Sequence, residues 1–548
     1  MGIEATPISP TLTDSQWNRL VRYGTPIDTS EGDVLFASGD RWYDLILVET
    51  GAVDVVREKL RWVEETLIAT LGERTFVGEL GLLNGQRAFL TARVSKPGRM
   101  LRIDHETLQR MMAEDDELCD LMLRTLWARR EELRKGPAAW TLKIIGSSRS
   151  REAVALRRYA ERLGLVHTWV EADDPERAAA FESHGFTRGD LPVAIVQGEN
   201  VLRATPGQLA ELLGLAYAAE DDFTVDLAVV GAGPAGLAAA IYGASEGLRT
   251  VLLDSVAPGG QSSATSRIEN YLGFPFGVSG DALTSQASLQ AFKFGVRVVA
   301  PCEVMRLEHN GSELELTLTD GALVHSRAVV VATGVAYRSL DLDRWKDFEG
   351  AGIYYAASAL ELRQMAGSDV VVVGGANSAG QAALALAANG CHVRLVVRGN
   401  DLGRQMSSYL TDRIMEDPRI DVHTGTQVTG LHGDGELDRV TLSGGAGGTV
   451  DCRGLFCFIG AEPATDWLTD VERDEHGFVH TGADVIGLGE PWRELGRMPL
   501  PFETSLPRVF AAGDVRRGSM KRVAAAVGEG SSAVASVHLA LAAADVFA

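Results

Sequence analysis

The sequence predicts a multidomain chain with a β-rich domain, a small α/β domain and two α/β units built on parallel sheets. Three observations carry this. At 548 residues the chain exceeds what one hydrophobic core supports. Short β-like stretches with glycine turns fill residues 1–135, whereas apolar strands alternate with helices from 223 onward. Two glycine-rich loops, GAGPAG at 231–236 and GGANSA at 374–379, each follow an apolar strand and open a helix. The expected boundaries are 1–137, 138–219, 220–339, 340–459 and 460–548.

The elements follow in order. Residues 1–135 carry DVLFASGD, DLILVET, AVDVV, TLIAT and MLRI, then one helical run from His105 to Lys135, broken by Gly136-Pro137. Residues 140–218 read strand (WTLKIIG), helix (SREAVALRRYAERLG), strand (LVHTWVEA), helix (PERAAAFESHG), two strands (LPVAIVQ, ENVLRA) and helix (PGQLAELLGL). From 223 the strands read as apolar and parallel. No internal repeat appears beyond the likeness of the two loop-bearing units.

Composition narrows the function. Apolar residues make up 45% and charged residues 23%, the balance of a globular protein. A net charge of −22 argues against a nucleic-acid footprint or a polybasic membrane anchor. No run approaches the roughly twenty apolar residues of a membrane helix, and MGIEATPISP lacks a secretion-signal pattern. Five cysteines exclude a disulfide scaffold. The expectation is a soluble cytoplasmic protein with no metal, nucleic-acid or membrane partner.

In VDLAVVGAGPAGLAAAIYGASEGLRTVLLD a buried strand enters Gly231, Gly233 and Gly236. The first glycine permits the tight turn, the second lets a pyrophosphate approach, and the third packs helix on strand, while the helix N-terminus offers N–H donors. Asp254 ends the second strand, where the ribose-binding acid belongs. The second loop repeats the pattern with Gly374, Gly375, Asn377, Ser378 and Ala379, and Ala376 replaces its middle glycine. Its second strand ends on Arg398, with Arg404 beyond. A guanidinium there pairs with a 2′-phosphate, which favours NADP(H) over NAD(H).

With APGGQSSATSRIENYLGFP (257–275), VVVATG (329–334), LFCFIGAEPAT (455–465) and VFAAGDVRRGSMKRVAAAVGEG (509–530), residues 223–548 resemble the low-molecular-weight thioredoxin reductases. The resemblance implies two Rossmann-like domains, FAD held by the first and last pieces and NADPH by the inserted one. It places Gly231, Gly233, Pro234, Ala235 and Gly236 at the FAD pyrophosphate and Asp254 at the adenosine ribose. Gly260, Gln261, Asn270, Thr333 and Gly334 would line the flavin. Gly513 and Asp514 would meet the ribityl chain, and Arg522, Val523 and Ala524 the isoalloxazine. Arg398 matches the middle of a His-Arg-Arg motif on the NADPH side.

The same resemblance exposes a gap. Aligned on the tyrosine and the VVVVGG strand, the family's redox cysteines fall on Ala356 and Ala359 of Tyr355-Ala356-Ala357-Ser358-Ala359. Cys452 and Cys457, read as flanking one strand, would lie roughly 16 Å apart on opposite faces. Cys119, Cys302 and Cys391 are scattered. Disulfide reduction by the family's route is therefore not expected.

The element order of residues 138–219, with Leu191-Pro192 opening a strand, resembles glutaredoxin or thioredoxin. Ser147-Ser148-Arg149-Ser150-Arg151 stands at that family's cysteine position. The stretch from Phe76 to Ala88 resembles the phosphate-binding cassette of cyclic-nucleotide-binding domains, which implies a β-roll. Gly78, Glu79, Leu80, Arg87 and Ala88 are its candidate site, with Arg87 bridging a cyclic phosphate and Glu79 accepting the ribose 2′-hydroxyl. Ala88 favours cAMP over cGMP by resemblance. Phe89 and Leu90 stand where small and hydroxyl-bearing side chains are usual.

The expected function is an NADPH-dependent FAD oxidoreductase gated by a cyclic nucleotide, passing electrons to a quinone, oxygen, a free flavin or a redox protein. The alternatives are a low-turnover sensor of NADPH and cyclic nucleotide, and a disulfide reductase using an external thiol partner. The family's habit implies a homodimer.

Overall fold

The computed structural model describes residues 9–60, 64–148, 150–174, 185–217, 224–265, 267–310, 313–357, 359–404, 406–485 and 489–547. The N-terminal domain holds α1 (Asp14–Leu20), β1 (Thr25–Thr29), β2 (Val34–Phe36), β3 (Leu45–Val48), β4 (Ala52–Arg57), β5 (Thr66–Leu71) and β6 (Thr75–Val77). α2 (Gly81–Asn84), β7 (Thr91–Lys96), β8 (Gly98–Ile103), α3 (His105–Glu114) and α4 (Asp116–Leu133) complete it. Two antiparallel sheets, β1-β8-β3-β6 and β2-β7-β4-β5, face each other. β3 is paired on both edges and buried at all four positions, which is why Leu45–Val48 is apolar without alternation. The expected single helix from His105 to Lys135 is two helices. Asp115 leaves helical geometry (φ −131°, ψ 94°) and its carboxylate caps α4 by accepting from Leu118 N–H at 3.0 Å.

The middle domain runs β9 (Leu142–Gly146), α5 (Arg151–Arg162), β10 (Thr168–Glu171), β11 (Val193–Val196), β12 (Glu199–Val201) and α6 (Pro206–Leu213). Its sheet order is β10-β9-β11-β12, with β10 parallel to β9 and β11 antiparallel to both neighbours. The Leu191–Pro192 peptide is cis. The helix expected over 175–185 lies, apart from Gly185, outside the described residues, as do Arg149 and Ser358.

The third unit holds β13 (Thr224–Val230), α7 (Pro234–Ser245), β14 (Thr250–Leu253), α8 (Gly280–Lys293), β15 (Arg297–Val299), β16 (Val304–Asn310), β17 (Glu313–Leu318) and β18 (Leu323–Val331). β19 (Val335–Tyr337), α9 (Trp345–Phe348), β20 (Ile353–Tyr354), α10 (Ala359–Met365), β21 (Asp369–Val373), α11 (Asn377–Ala388), β22 (His392–Val397), α12 (Ser408–Glu416) and β23 (Ile420–Thr424) follow. The chain continues through β24 (Gln427–His432), β25 (Arg439–Ser443), β26 (Gly448–Asp451), β27 (Gly454–Cys457), β28 (Ala461–Pro463), α13 (Glu490–Leu495), β29 (Val509–Ala511) and α14 (Val523–Phe547).

Strands β15-β14-β13-β18 and β29 form a parallel sheet, and β21, β22, β23, β20 and β27 form a second. The all-parallel expectation does not hold at the margins. β16-β17 add to β18 antiparallel, and β24-β25-β26 form a separate antiparallel sheet. Their alternating burial, as in Glu313–Leu318, is the signature of one wet face. The two parallel units are joined by an antiparallel ribbon of β19 and β28.

The domains touch through named contacts. α8 carries Phe292 into the β-roll core, and Lys293 pairs with Asp120 at 3.5 Å. α5 reaches both parallel units: Tyr159 donates its hydroxyl to Ala300 O at 3.0 Å, and Arg158 pairs with the buried Glu361 of α10 at 3.1 Å.

Candidate functional site

The first loop is a cradle with no room for side chains. A Cβ on Gly231 (φ +103°) would fall 2.4 Å from Ala332 O, and one on Gly236 would fall 1.7 Å from Gly231 O. Gly260 (φ +55°) crosses so closely that its Cβ would lie 2.8 Å from Gly233 Cα. Gly513 abuts Ala235 in the same way, at 2.8 Å from its Cβ. Residues from four separate stretches of sequence thus converge on the N-terminus of α7, where helix geometry leaves the first N–H groups without intrahelical acceptors. Thr333 fixes the adjoining turn by donating to Ala464 O at 2.8 Å, while Ala464 N–H donates to Gly334 O at 3.1 Å. The Gln261 side-chain amide donates to Val335 O. Asn270 is exposed, and Arg522 precedes α14, whose first turn contains Val523 and Ala524.

Two carboxylates do structural work that sequence reasoning did not foresee. Asp254 accepts from Ala232 N–H at 2.7 Å and from Val256 and Ala257 N–H at 2.9 Å each, so it braces the glycine loop against the next turn. Burial raises its pKa, against the lowering effect of those three donors. Glu529 on α14 accepts from Gly513 N–H at 2.8 Å and is gripped by Arg516 at 2.7 and 3.1 Å. That clamp holds Asp514, whose carboxyl pKa is also raised by burial. Only the spacing of Glu529 from Gly-Asp-Val could have signalled it.

At the second loop Gly374 takes φ +141°, and a Cβ there would meet Phe458 O at 2.4 Å. Gly375 lies against Val397, and Ala376 caps α11 in extended geometry, with Ala379 buried and Ser378 exposed. Asn377 Oδ1 accepts from Ser407 N–H at 2.7 Å, tying the loop to α12. Arg398 and Arg404 are both exposed beside the end of β22, and neither makes an ion pair among the described residues.

In the β-roll the cassette residues separate. Glu79 lines a cavity of about 260 Å³ together with Gly78 and Ala88. Its carboxylate accepts from Arg130 (2.6 and 2.9 Å), Tyr43 (3.1 Å) and Gly81 N–H (2.7 Å). Arg87 is not among the residues lining that cavity. It donates from Nη1 to Gly39 O at 3.1 Å and from its backbone N–H to Leu213 O at 2.8 Å, facing the end of α6. Leu80 is buried at the start of α2.

Residues 225–530, more than half the chain, match the family described as pyridine nucleotide-disulphide oxidoreductase. The chain belongs to this family. It is an FAD-dependent NAD(P)H oxidoreductase, with FAD and NADPH as cofactors. It is 30% identical over 311 residues to a thioredoxin reductase of Treponema pallidum, covering 56% of this chain and 94% of that one. It is 28% identical over 379 residues to the alkyl hydroperoxide reductase F of Staphylococcus epidermidis, covering 67% of this chain and 69% of that one. Among solved structures, a thioredoxin reductase of T. acidophilum is similar at a TM-score of 0.50 and 26% identity, covering 59% of this chain and 99% of that one. Residues 27–115 match the cyclic nucleotide-binding domain family, which supports a cyclic nucleotide as a ligand of the β-roll.

FAD fits this oxidoreductase's first cradle, because Gly231, Gly236 and Gly260 leave bare backbone where a Cβ would collide. Among the described residues no helix is long and apolar enough to cross a membrane. One cysteine expectation changes. Cys452 and Cys457 are buried in the same apolar cluster rather than on opposite faces, because Cys452 lies in the turn before β27 and the two-residue period does not run through it. All five thiols are free.

Proposed function

We propose that this chain is an NADPH-driven flavoenzyme that delivers electrons from its flavin to an acceptor other than a disulfide, under control of its β-roll domain. The observation that carries this reading is Ala356 and Ala359, which stand where the motif resemblance expects the dithiol of the thioredoxin reductases. A methyl group neither forms a thiolate nor exchanges disulfides. No other thiol is suited to stand in. Burial pushes Cys119 up to about 11 and Cys302, Cys452 and Cys457 up to about 12.

The chemistry FAD would supply here, once bound, is the acceptance of hydride from reduced nicotinamide and onward electron transfer. The chain's residues position the cofactors. Gly231, Gly233 and Gly236 admit the pyrophosphate to the N-terminus of α7, and Asp254 and Glu529 hold that cradle rigid. Asp514 faces the ribityl side, and Val523 and Ala524 offer N–H donors at the start of α14. Arg398 and Arg404 take the 2′-phosphate of NADPH. With a net charge of −22 the chain suits a neutral acceptor such as a quinone, oxygen or a free flavin better than an acidic redox protein.

The middle domain is the coupling element. Its sheet order supports a thioredoxin-like fold, and the match to the staphylococcal alkyl hydroperoxide reductase reaches beyond the two nucleotide domains, covering 67% of the chain against 56% for the treponemal thioredoxin reductase. α5 contacts both nucleotide domains, and α6 and Gln197 contact the β-roll cassette at Arg87 and Ala88. A change at the cassette thereby reaches both the FAD and the NADPH domains. The assembly is a homodimer by the family's habit.

The test is anaerobic stopped-flow reduction of the flavin by NADPH, followed by turnover with a soluble quinone and with thioredoxin coupled to insulin. Rapid reduction, quinone turnover and no insulin reduction are expected. Insulin reduction matching the quinone rate would overturn the reading, as would a flavin that NADPH does not reduce.

A further inference from the structure

The cavity in the β-roll is apolar where a cyclic phosphate needs donors. Its wall includes Phe36, Val55, Ile68, Leu71, Phe89 and Leu90, and Leu133 and the connector Pro137-Ala138 also line it. Three charged residues, Glu79, Arg129 and Glu132, reach it. Glu132 is the wrong sign for an anion, and the charge of Glu79 is taken up by Arg130 at 2.6 Å. Arg129 is committed to backbone, donating to Gly78 O at 2.7 Å and Phe76 O at 2.8 Å. Its guanidinium also lies over the Phe76 ring at 4.5 Å. Burial lowers its pKa to about 10, the mark of a poorly hydrated surrounding.

The two residues that would read a cyclic nucleotide are engaged elsewhere. Glu79 already holds four hydrogen bonds, from Arg130, Tyr43 and Gly81. Arg87 is absent from the cavity lining, packed so closely on α6 that a Cβ on Gly214 would lie 3.0 Å from its Cγ. Phe89 and Leu90, 5% and 6% exposed, line the cavity in a cluster with Ala138, Ala139 and Val166. A charged ring phosphate placed there would lose its hydration without gaining donors. An apolar molecule would lose nothing.

We infer that the β-roll cavity of this chain binds a neutral, largely apolar small molecule in place of a cyclic nucleotide. An apolar cavity of about 150 Å³ accepts one benzene ring. The 260 Å³ here corresponds to a molecule of about two fused rings, or an alkyl chain of similar bulk. This rests on reading the β-roll as the sensing domain and is independent of the electron acceptor. The ligand would bear directly on the connector: Arg57 donates to Pro137 O at 3.0 Å, so the same wall fixes the entry to the middle domain.

The test is calorimetric titration of the full-length flavoprotein with 2-naphthol, cAMP and cGMP, with thermal melts alongside. One 2-naphthol site per chain is expected, with a raised Tm and no heat from either cyclic nucleotide at millimolar concentration. Ala69→Trp, which fills the cavity, should weaken 2-naphthol at least tenfold while the melt and the flavin content show that the chain is folded. Leu90→Ala, which widens it, should retain binding. The inference is overturned if cAMP binds at one per chain and Arg87→Ala abolishes it, if 2-naphthol does not bind, or if Ala69→Trp leaves its binding unchanged. NADPH-driven flavin reduction plays no part in these readouts.

Discussion

The ring of Tyr355 stacks on that of Tyr337, with centroids 5.4 Å apart and planes 5° from parallel. Tyr355 follows β20 directly, and Tyr337 belongs to β19 of the interdomain ribbon. The Tyr355 hydroxyl donates to Glu349 at 2.7 Å and accepts from the Trp345 indole N–H at 2.9 Å. Through Tyr355 the stretch after β20 is therefore tied to the connection between the nucleotide domains.

Tyr355→Phe keeps the stack and removes both hydrogen bonds, so it should cost about 1–2 kcal/mol in urea denaturation. Tyr355→Ala should cost about 3–5 kcal/mol. Burial, then the Glu349 hydrogen bond, raise the pKa of Tyr355 above its ordinary value of 10.0. The folded chain then keeps this proton to higher pH than the unfolded one. Its contribution to stability is full below about pH 10 and falls as pH rises beyond it. The alkaline loss should shrink in the Phe variant, and an unchanged profile would count against the assignment.

Arg398→Ala should raise the KM for NADPH about tenfold and leave that for NADH unchanged, because a 2′-phosphate is all that separates the two. Arg404→Ala should act in the same direction. Steady-state kinetics with both nucleotides check this. Equal loss for NADH would mean that these side chains serve the fold of the loop instead.

Asp254→Ala would leave the N–H groups of Ala232, Val256 and Ala257 without their acceptor. Ala232 and Ala257 are buried whereas Val256 is exposed, so at about 1–3 kcal/mol for each buried orphan a loss of about 2 kcal/mol or more is expected, together with flavin released on purification. Absorbance per mole of protein and a urea melt read the two effects. Full flavin content with a normal melt would show that the loop holds without this brace.

The glycine loops were legible because close backbone contact leaves a mark in sequence: Gly231, Gly236 and Gly374 occupy positions where any Cβ collides. Strand and helix order in the two nucleotide domains was readable for the same reason, since buried parallel strands are uninterrupted apolar runs. The break at Asp115 was not read, because a capping aspartate inside an amphipathic run looks like one more surface charge. Nor could the sequence place Arg87. Its cassette spacing is intact, but its direction is set by Leu213 and Gly214, more than a hundred residues away, and no local pattern reports a contact at that range.

The cysteines give the sharpest prediction about the reaction. Four of the five are buried and Cys302 is half-buried, and a thiol with a pKa near 12 is ionised to roughly one part in 10⁵ at neutral pH. In the native protein a thiol reagent should therefore find almost no reactive group within minutes, against all five after denaturation. Each Cys→Ala change should cost about 1 kcal/mol as a small cavity, and NADPH–quinone turnover should stay within about twofold in every single variant and in the Cys452→Ala/Cys457→Ala pair. A fall in turnover without a matching fall in stability, at any one of them, would place a thiol on the electron path after all. If turnover holds across the set, the electrons leave the flavin without passing through sulfur.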